Sequence, residues 1–433
     1  MNLPQTNKPR IVIIGGGFAG MNLAKSLRNA PAQVVLIDKN NYHTFQPLLY
    51  QVATAGLEPD SITYPLRKIF NRYDDFYFRV ATAQEVDTNH NLVITDRGTI
   101  EYDYLVVALG AETNYFGNKQ IERHSMPMKS VREALDLRSL ILQNFEDALI
   151  TKDIQERERL MNIVIVGGGP TGVELAGALA ELRKWILPKD YPDLDFRQMK
   201  IHLMEGQSGL LGGMSEEASQ KSEEFLQKME VEIWTNTLVK DFDGSEIHTN
   251  TNKKLSSKTL IWAAGVKGCP IKGITSEKSG RVIVDDELRV KDHDNIFAIG
   301  DLASVESEEI NHGYPMLASV ATQQGVFLAK NIRRMLAGVN TQPFKYNDKG
   351  TMATVGRNRA VVDLPNIKFQ GRIAWYAWMF IHLILLVGFR NRVVALINWV
   401  WSYLNYDKGI RLIIRPFERQ ASITKADLEE VEY

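Results

Sequence analysis

The chain of 433 residues has one cysteine, Cys269. A single thiol excludes an intramolecular disulfide, a C-x-x-C redox pair and any multi-cysteine zinc or iron–sulfur centre within this chain. No metal site is expected. Net charge is scarce too: 51 Lys and Arg against 52 Asp and Glu leave −1. That balance excludes a bulk electrostatic grip on nucleic acid. Long apolar runs are also missing. The best, Ile373–Phe389, is interrupted by His382 and sits at the bottom of the ~17–25 residues that span a bilayer. No signal-like or transit-like segment precedes the strand pattern starting at Arg10, so the polypeptide is expected to start and stay in a reducing cytoplasm.

What the sequence does have is an internal repeat. Residues 10–27 (RIVIIGGGFAGMNLAKSL) and 162–179 (NIVIVGGGPTGVELAGAL) are identical at more than half of their aligned positions. Their separation is too long for a solenoid and fits two copies of a nucleotide-binding unit. In each copy an aliphatic run predicts a buried parallel strand (Ile11–Ile14; Ile163–Val166). A G-x-G-x-x-G fingerprint follows: Gly15, Gly17 and Gly20, then Gly167, Gly169 and Gly172. The first glycine permits the tight turn, the second lets backbone approach a pyrophosphate, and the third lets helix pack on strand. The helix that follows offers free N–H groups to phosphate.

Such a fingerprint gains meaning from an acid at the end of the next strand. Asp38 ends the run Gln33–Ile37 at the usual distance after Gly20, and Glu205 ends Lys200–Met204 considerably farther after Gly172. A carboxylate there is placed to bind ribose hydroxyls. At Glu205 it would repel a 2′-phosphate, which favours NADH over NADPH. The longer second spacing marks residues 183–198 as an insertion.

Two dinucleotide units in one chain suit hydride transfer between a nicotinamide and a flavin. Tyr104–Gly110, Leu260–Gly265 and Asn295–Asp301 read as further buried strands. The pattern looks like the two-dinucleotide-fold flavoproteins. There the first unit binds FAD and the second NAD(P)H, and a Gly-Asp pair, here Gly300 and Asp301, contacts the flavin's ribityl–phosphate region. Disulfide reductases and sulfide:quinone oxidoreductases of this type need cysteines, and Cys269 has no partner thiol.

Residues 372–406 contain nine aromatics, including four of the chain's seven tryptophans. Between Gly371 and Arg415 there are six cations (Arg372, Arg390, Arg392, Lys408, Arg411, Arg415) and one acid, Asp407, so a +5 segment joins a −6 body. Tryptophan and cations together are the pattern of helices lying in a membrane interface. A buried helix pair or a homodimer contact is the alternative, and a dimer could present both copies to one membrane.

The chain resembles the type II NADH dehydrogenases, the single-subunit, non-proton-pumping NADH:quinone oxidoreductases. The matching stretches are Tyr42–Leu57, Gly110–Gly117, Gly167–Glu181, Ala321–Gly325 and Ala374–Arg392. The resemblance implies that Gly15, Gly17, Ala19, Gly20, Asp38, Lys39, Pro47, Ala111, Gly300, Asp301 and Ala318 hold FAD. Phe45, Pro47 and Gln51 would lie near its isoalloxazine ring. NADH would take Gly167, Gly169, Thr171, Gly172, Glu174, Glu205, Ala264 and Gly265. Glu174, replaced by Asn22 in the first copy, would sit where nicotinamide meets flavin and is the candidate catalytic residue. Gln323 and Gln324 would lie toward the quinone. Ser319 would also face the quinone, although it departs from the family, which commonly has Gln there.

The expected architecture is α/β, with two Rossmann-like dinucleotide-binding domains plus a C-terminal amphipathic-helix membrane-binding segment. Residues 9–120 and 285–340 would bind FAD, 121–284 NADH, and 341–433 the membrane. The expected protein is a peripheral homodimer on the cytoplasmic face of the inner membrane, meeting NADH, a membrane quinone and anionic lipid through 372–415. Two rivals use the same frame: a soluble reductase for a small electron-transfer protein, and a flavoprotein like apoptosis-inducing factors that acts by interaction.

Overall fold

The computed structural model describes residues 1–306, 313–405, 411–413 and 416–418. Both aliphatic runs become central strands of five-stranded parallel sheets. In the first sheet the order is Ile296–Ala298, Tyr104–Val107, Arg10–Ile14, Gln33–Asp38, Phe76–Val80. In the second it is Met126–Pro127, Thr259–Trp262, Ile163–Val166, Ile201–Met204, Glu232–Trp234. Helices cover both faces, so Ile11, Val12, Ile13, Val164 and Ile165 are fully buried, as continuous aliphatic runs require.

The chain leaves the first sheet for the second and then returns. Ile296–Ala298 pairs with Tyr104–Val107, although the whole second sheet lies between them in sequence. A short antiparallel ladder, Ala111–Thr113 against Val266–Gly268, ties the two units together. Helix Val131–Ile150 carries a capping box between Ser130 and Glu133, which satisfies orphan N–H groups at its start.

The insertion after the second fingerprint helix is a packed cover. Tyr191, Leu194 and Phe196 are buried, and the Phe145 ring lies 5.6 Å from Tyr191 and 5.5 Å from Phe196. Tyr191 also donates to Glu146 at 3.0 Å.

The C-terminal region begins with a three-stranded antiparallel sheet, Thr351–Thr354, Ala360–Asp363 and Lys368–Gln370, which the sequence reading did not anticipate. Two helices follow, Arg372–Leu385 and Phe389–Asn405. The apolar run expected through Phe389 breaks earlier, because Leu386 is extended and Gly388 has φ +89°. The second helix starts at Phe389, the last residue of that run. The first has 14 residues, roughly 21 Å at about 1.5 Å per residue, against about 30 Å of hydrocarbon. Among the described residues no helix is long and apolar enough to cross a membrane.

The tail helices have an inward and an outward apolar side. Inward, Ala374, Trp378 and His382 are buried at a spacing of four, one stripe of a helix. Outward, Ile373, Phe380, Phe389, Ile397, Trp401 and Leu404 are exposed. Polar contacts fasten the second helix to the segment from Gln51 to Thr63. Asn391 Nδ2 donates to the Asp60 and Thr63 carbonyls at 3.0 and 2.7 Å. Asn398 donates to Glu58 at 2.6 Å and Trp399 Nε1 to Gln51 Oε1 at 2.8 Å. Among the described residues, two of the tail's cations have acid partners: Arg390 with Asp60, and Arg411 with Asp190. Asp407, Lys408, Arg415 and the polar end from 419 lie outside the described residues.

Candidate functional site

The two fingerprints fold as near copies, down to individual hydrogen bonds. Gly16 N–H donates to Asp38 Oδ2 at 2.6 Å, and Gly168 N–H to Glu205 Oε2 at 2.6 Å. Asn40 N–H reaches Asp38 Oδ1 at 2.7 Å, and Gln207 N–H reaches Glu205 Oε1 at 2.8 Å. Each acid thus braces its own glycine loop, and each oxygen keeps a lone pair for a ribose hydroxyl. Burial pushes Asp38 up, against the pull of these N–H donors.

The glycines differ in what surrounds them. A Cβ on Gly20 would overlap the Gly15 carbonyl oxygen, and one on Gly172 would overlap that of Gly167. Those positions pack helix on strand. A Cβ on Gly17 or Gly169 would meet no described protein atom within 4 Å. Both therefore leave the backbone open to a ligand, at the start of the helices Phe18–Ser26 and Pro170–Trp185.

Around the first cradle the residues suit a flavin dinucleotide. His43 is buried with Nδ1 3.0 Å from the Gly16 carbonyl, while its Nε2 has no partner among the described residues. Burial holds this ring neutral by pulling its pKa down to about 4. Gly300 N–H donates to the buried Gln324 Oε1 at 2.7 Å. Asp301 beside it is half-buried and pushed up by burial, with Lys129 and Arg281 opposing. Ala19 and Gly300 are buried, Pro47, Ala111 and Ala318 are half-buried, and Lys39 is exposed. On the second cradle Thr171 and Gly265 are exposed or nearly so, and Ala264 is half-buried.

Glu174 is 7% exposed, one turn into the second fingerprint helix. Its Oε1 accepts a long hydrogen bond from Thr354 N–H at 3.4 Å. Burial pushes its pKa up to about 8, with the Thr354 N–H and the Trp378 indole pulling back. Trp378 stacks on His382 at 4.1 Å and approaches Tyr50 at 6.5 Å. The tail's inward stripe therefore closes over Glu174. Beyond it a cavity of ≈ 110 Å³ opens between the segment at Tyr50, Gln51 and Gly56, the helix at Ala178 and Glu181, and the tail at Trp375 and Trp399. Among the described residues no cluster of His, Cys, Asp and Glu suits a metal.

Because Trp378 is core, Trp378→Ala is expected to destabilise the holoprotein by about 3–5 kcal/mol. Equilibrium denaturation measures this, and a change below about 1 kcal/mol would show that the tail is not integral to the fold.

The residues read as quinone-facing already have protein partners. Ser319 Oγ lies 2.8 Å from the Tyr346 hydroxyl. Gln323 exchanges hydrogen bonds with the Asn347 backbone at 2.9 and 3.0 Å. Phe45 is buried edge-on to Phe18 and His382, which brings the first fingerprint helix to the tail. The sequence reading missed Tyr50, Thr354, Trp378 and His43. Trp378 and His382 were visible as a helical stripe, but nothing in that stripe names Glu174 as its contact.

Two parallel sheets with matched Gly-rich cradles, and a buried acid at the start of the second helix, define a two-dinucleotide oxidoreductase without redox cysteines. Residues 9–325 match the pyridine nucleotide-disulphide oxidoreductase family, and residues 349–405 match the NDH2 C-terminal domain. The type II NADH:quinone oxidoreductase NdhA of Mycobacterium tuberculosis is 35% identical, over 98% of this chain and 95% of its own length. The enzyme Ndh of the same organism is also 35% identical, over 92% and 89%. NDH2 from Plasmodium falciparum, solved in complex with NADH, superposes with a TM-score of 0.86 at 23% identity, over 94% of this chain and 100% of that one. Sulfide:quinone oxidoreductase from Aquifex aeolicus gives 0.70 at 20% identity, over 94% and 96%. The chain belongs to the type II NADH:quinone oxidoreductases.

Proposed function

We propose that this flavoenzyme takes NADH on the second dinucleotide fold, carries FAD on the first, and delivers electrons to a membrane quinone at the tail-lined cavity, without pumping protons. The observation that carries this reading is Glu174. It is buried where the second fingerprint helix meets the tail, and its neighbours Tyr50 and Trp378 line the cavity. FAD, when bound, supplies the two-electron step between the substrates.

The chain's own residues do the rest. Gly15, Gly17, Gly20 and Asp38 hold the cofactor, with Lys39, Pro47, Ala111, Asp301 and Ala318 around it. Gly167, Gly169, Gly172 and Glu205 hold NADH, and Thr171, Ala264 and Gly265 line its path. Rigid mounting of both folds fixes the approach of the reacting groups. Glu174, neutral near pH 7, keeps a proton at the junction, and Trp378 and Tyr50 exclude water from it. Gln324 acts through Gly300, while Ser319 and Gln323 bond Tyr346 and Asn347 and lie outside the cavity lining. Residues 9–120 with 285–340, 121–284, and 341–433 serve as the FAD, NADH and membrane regions. Steady-state NADH oxidation with a soluble quinone analogue tests the reading. Turnover should depend on quinone. Fast turnover only with an iron–sulfur protein, or slow oxidation leaving a persistent reduced complex, would overturn it.

The exposed apolar side of the tail supports membrane-surface binding, and the reading places it on the cytoplasmic face with the protein as a homodimer. Removing the tail would also strip Trp378 from the core, so surface charges are the cleaner test. Phe380→Glu with Trp401→Glu, both at exposed positions, is expected to lower binding to anionic vesicles roughly tenfold or more. Turnover with the soluble quinone should stay within about twofold. An unchanged bound fraction in co-sedimentation would sink the assignment.

A further inference from the structure

The carboxyl edge of the second sheet carries two exposed apolar side chains that the site described above does not use. Leu238 is 50% exposed and Phe116 is 68% exposed. Each sits over a glycine at a strand end. A Cβ on Gly206, the residue after Glu205, would lie 2.5 Å from Leu238 Cδ2. A Cβ on Gly265 would lie 2.7 Å from Phe116 Cζ.

Neither side chain is loosely placed. Phe116 has φ +51°, uncommon for a bulky residue and retained only where its surroundings impose it. Its N–H donates to Asn114 Oδ1 at 2.9 Å, and its ring meets Trp262 at 6.5 Å. Trp262 in turn donates to the Asn114 carbonyl at 2.9 Å. Leu238 N–H donates to Asn250 Oδ1 at 2.9 Å, and Thr237 N–H to the Glu205 carbonyl at 2.9 Å. Asn118 Nδ2 links the two loops by donating to the Lys240 carbonyl at 2.7 Å.

Their positions relative to the fingerprint differ. The strand Ile163–Val166 that leads into Gly167 lies between Ile201–Met204, on the Glu205 side, and Thr259–Trp262, on the Gly265 side. A dinucleotide lies across the carboxyl ends of such strands, with its adenosine ribose at the acid and its pyrophosphate at the helix start. We infer that Leu238 and Phe116 are two apolar jaws for NADH. Leu238 packs on the adenine and Phe116 on the nicotinamide half, each lying over the glycine that keeps its strand end low. This rests on NADH occupying the second fold. Both are positioning residues, since neither carries a group that could react.

The test uses FAD-loaded holoenzyme and calorimetric binding of NAD⁺ and AMP. Leu238→Ala is expected to weaken both ligands, and Phe116→Ala to weaken NAD⁺ alone, each by roughly tenfold, the scale of a lost apolar or stacking contact. Phe116→Tyr and Leu238→Met, which keep the packing bulk, should bind like wild type, and retained FAD reports folding. Alanine variants that bind both ligands within about twofold of wild type would overturn the jaws. Equal loss of AMP in Phe116→Ala would overturn the assignment of halves. If AMP fails to displace NAD⁺ from the wild type, the placement of NADH on the second fold fails, and the jaws with it.

Discussion

Glu174→Gln is expected to lower quinone-dependent NADH oxidation by about 100-fold, the usual scale for removing a positioned proton-transfer group, while making the protein more stable at neutral pH. The opposite signs come from one cause. Burial holds the folded-state pKa at about 8 against an ordinary value of 4.5. Between those values the unfolded chain has lost this proton and the folded chain has kept it. Stability therefore falls as pH rises through that window and levels off above about 8. Gln mimics the protonated form and escapes the penalty. The stability gap between variant and wild type should be near zero below pH 4.5, widen toward pH 8 and then stay constant.

The groups around this carboxyl are the Thr354 N–H, the Trp378 indole and the Tyr50 phenol, and Glu181 in turn faces Tyr50. Tyr50 is itself pushed well up, by burial first and by Glu174 next, so it stays neutral across the same range. In wild type, turnover should hold below pH 8 and decline above it as Glu174 ionises; the variant should lose that decline. Thermal melts and steady-state profiles, each run from about pH 4 to about pH 9, check the two halves. A variant with wild-type turnover and an unchanged alkaline limb would remove Glu174 from the mechanism.

Gly17→Val and Gly169→Val are expected to separate the two ligands. Both glycines are extended, with φ −69° and −70°, on the side of φ that valine adopts freely. A Cβ at either meets no described protein atom within 4 Å, so stability of the folded chain should change by less than about 1 kcal/mol. What the added methyls obstruct is backbone approach to a pyrophosphate. Gly17→Val should purify without FAD. Gly169→Val should retain FAD while its KM for NADH rises about 100-fold, as misplacement near ~1 Å can cause. Flavin absorbance and steady-state kinetics read the outcome. The reverse pattern would exchange the assignments of the two folds.

The fingerprints were legible in the sequence because their physics is local. An aliphatic run followed by G-x-G-x-x-G states strand, turn and helix within one short stretch of chain, and Asp38 and Glu205 fall at the ends of the next strands, which pair beside the first. The tail's two helices were legible from composition, as was their apolar character. Their ends were not, because Gly388 turns the chain against the Tyr64 ring, a contact with a segment far back in the sequence. The sheet Thr351–Gln370 escaped notice because its strands are only three or four residues long, too few for alternation to register.

By itself the sequence determined two dinucleotide cradles, their acids, the lack of a cysteine pair and a cation-rich aromatic tail. Each of these follows from residue type and short spacing. Tertiary structure alone decided that the tail turns one face inward, that Trp378 closes over Glu174, and that this carboxyl keeps its proton near pH 7. An acid's ionisation depends on what excludes water from it. Here that is done by Tyr50 and Trp378, from segments far apart in the chain.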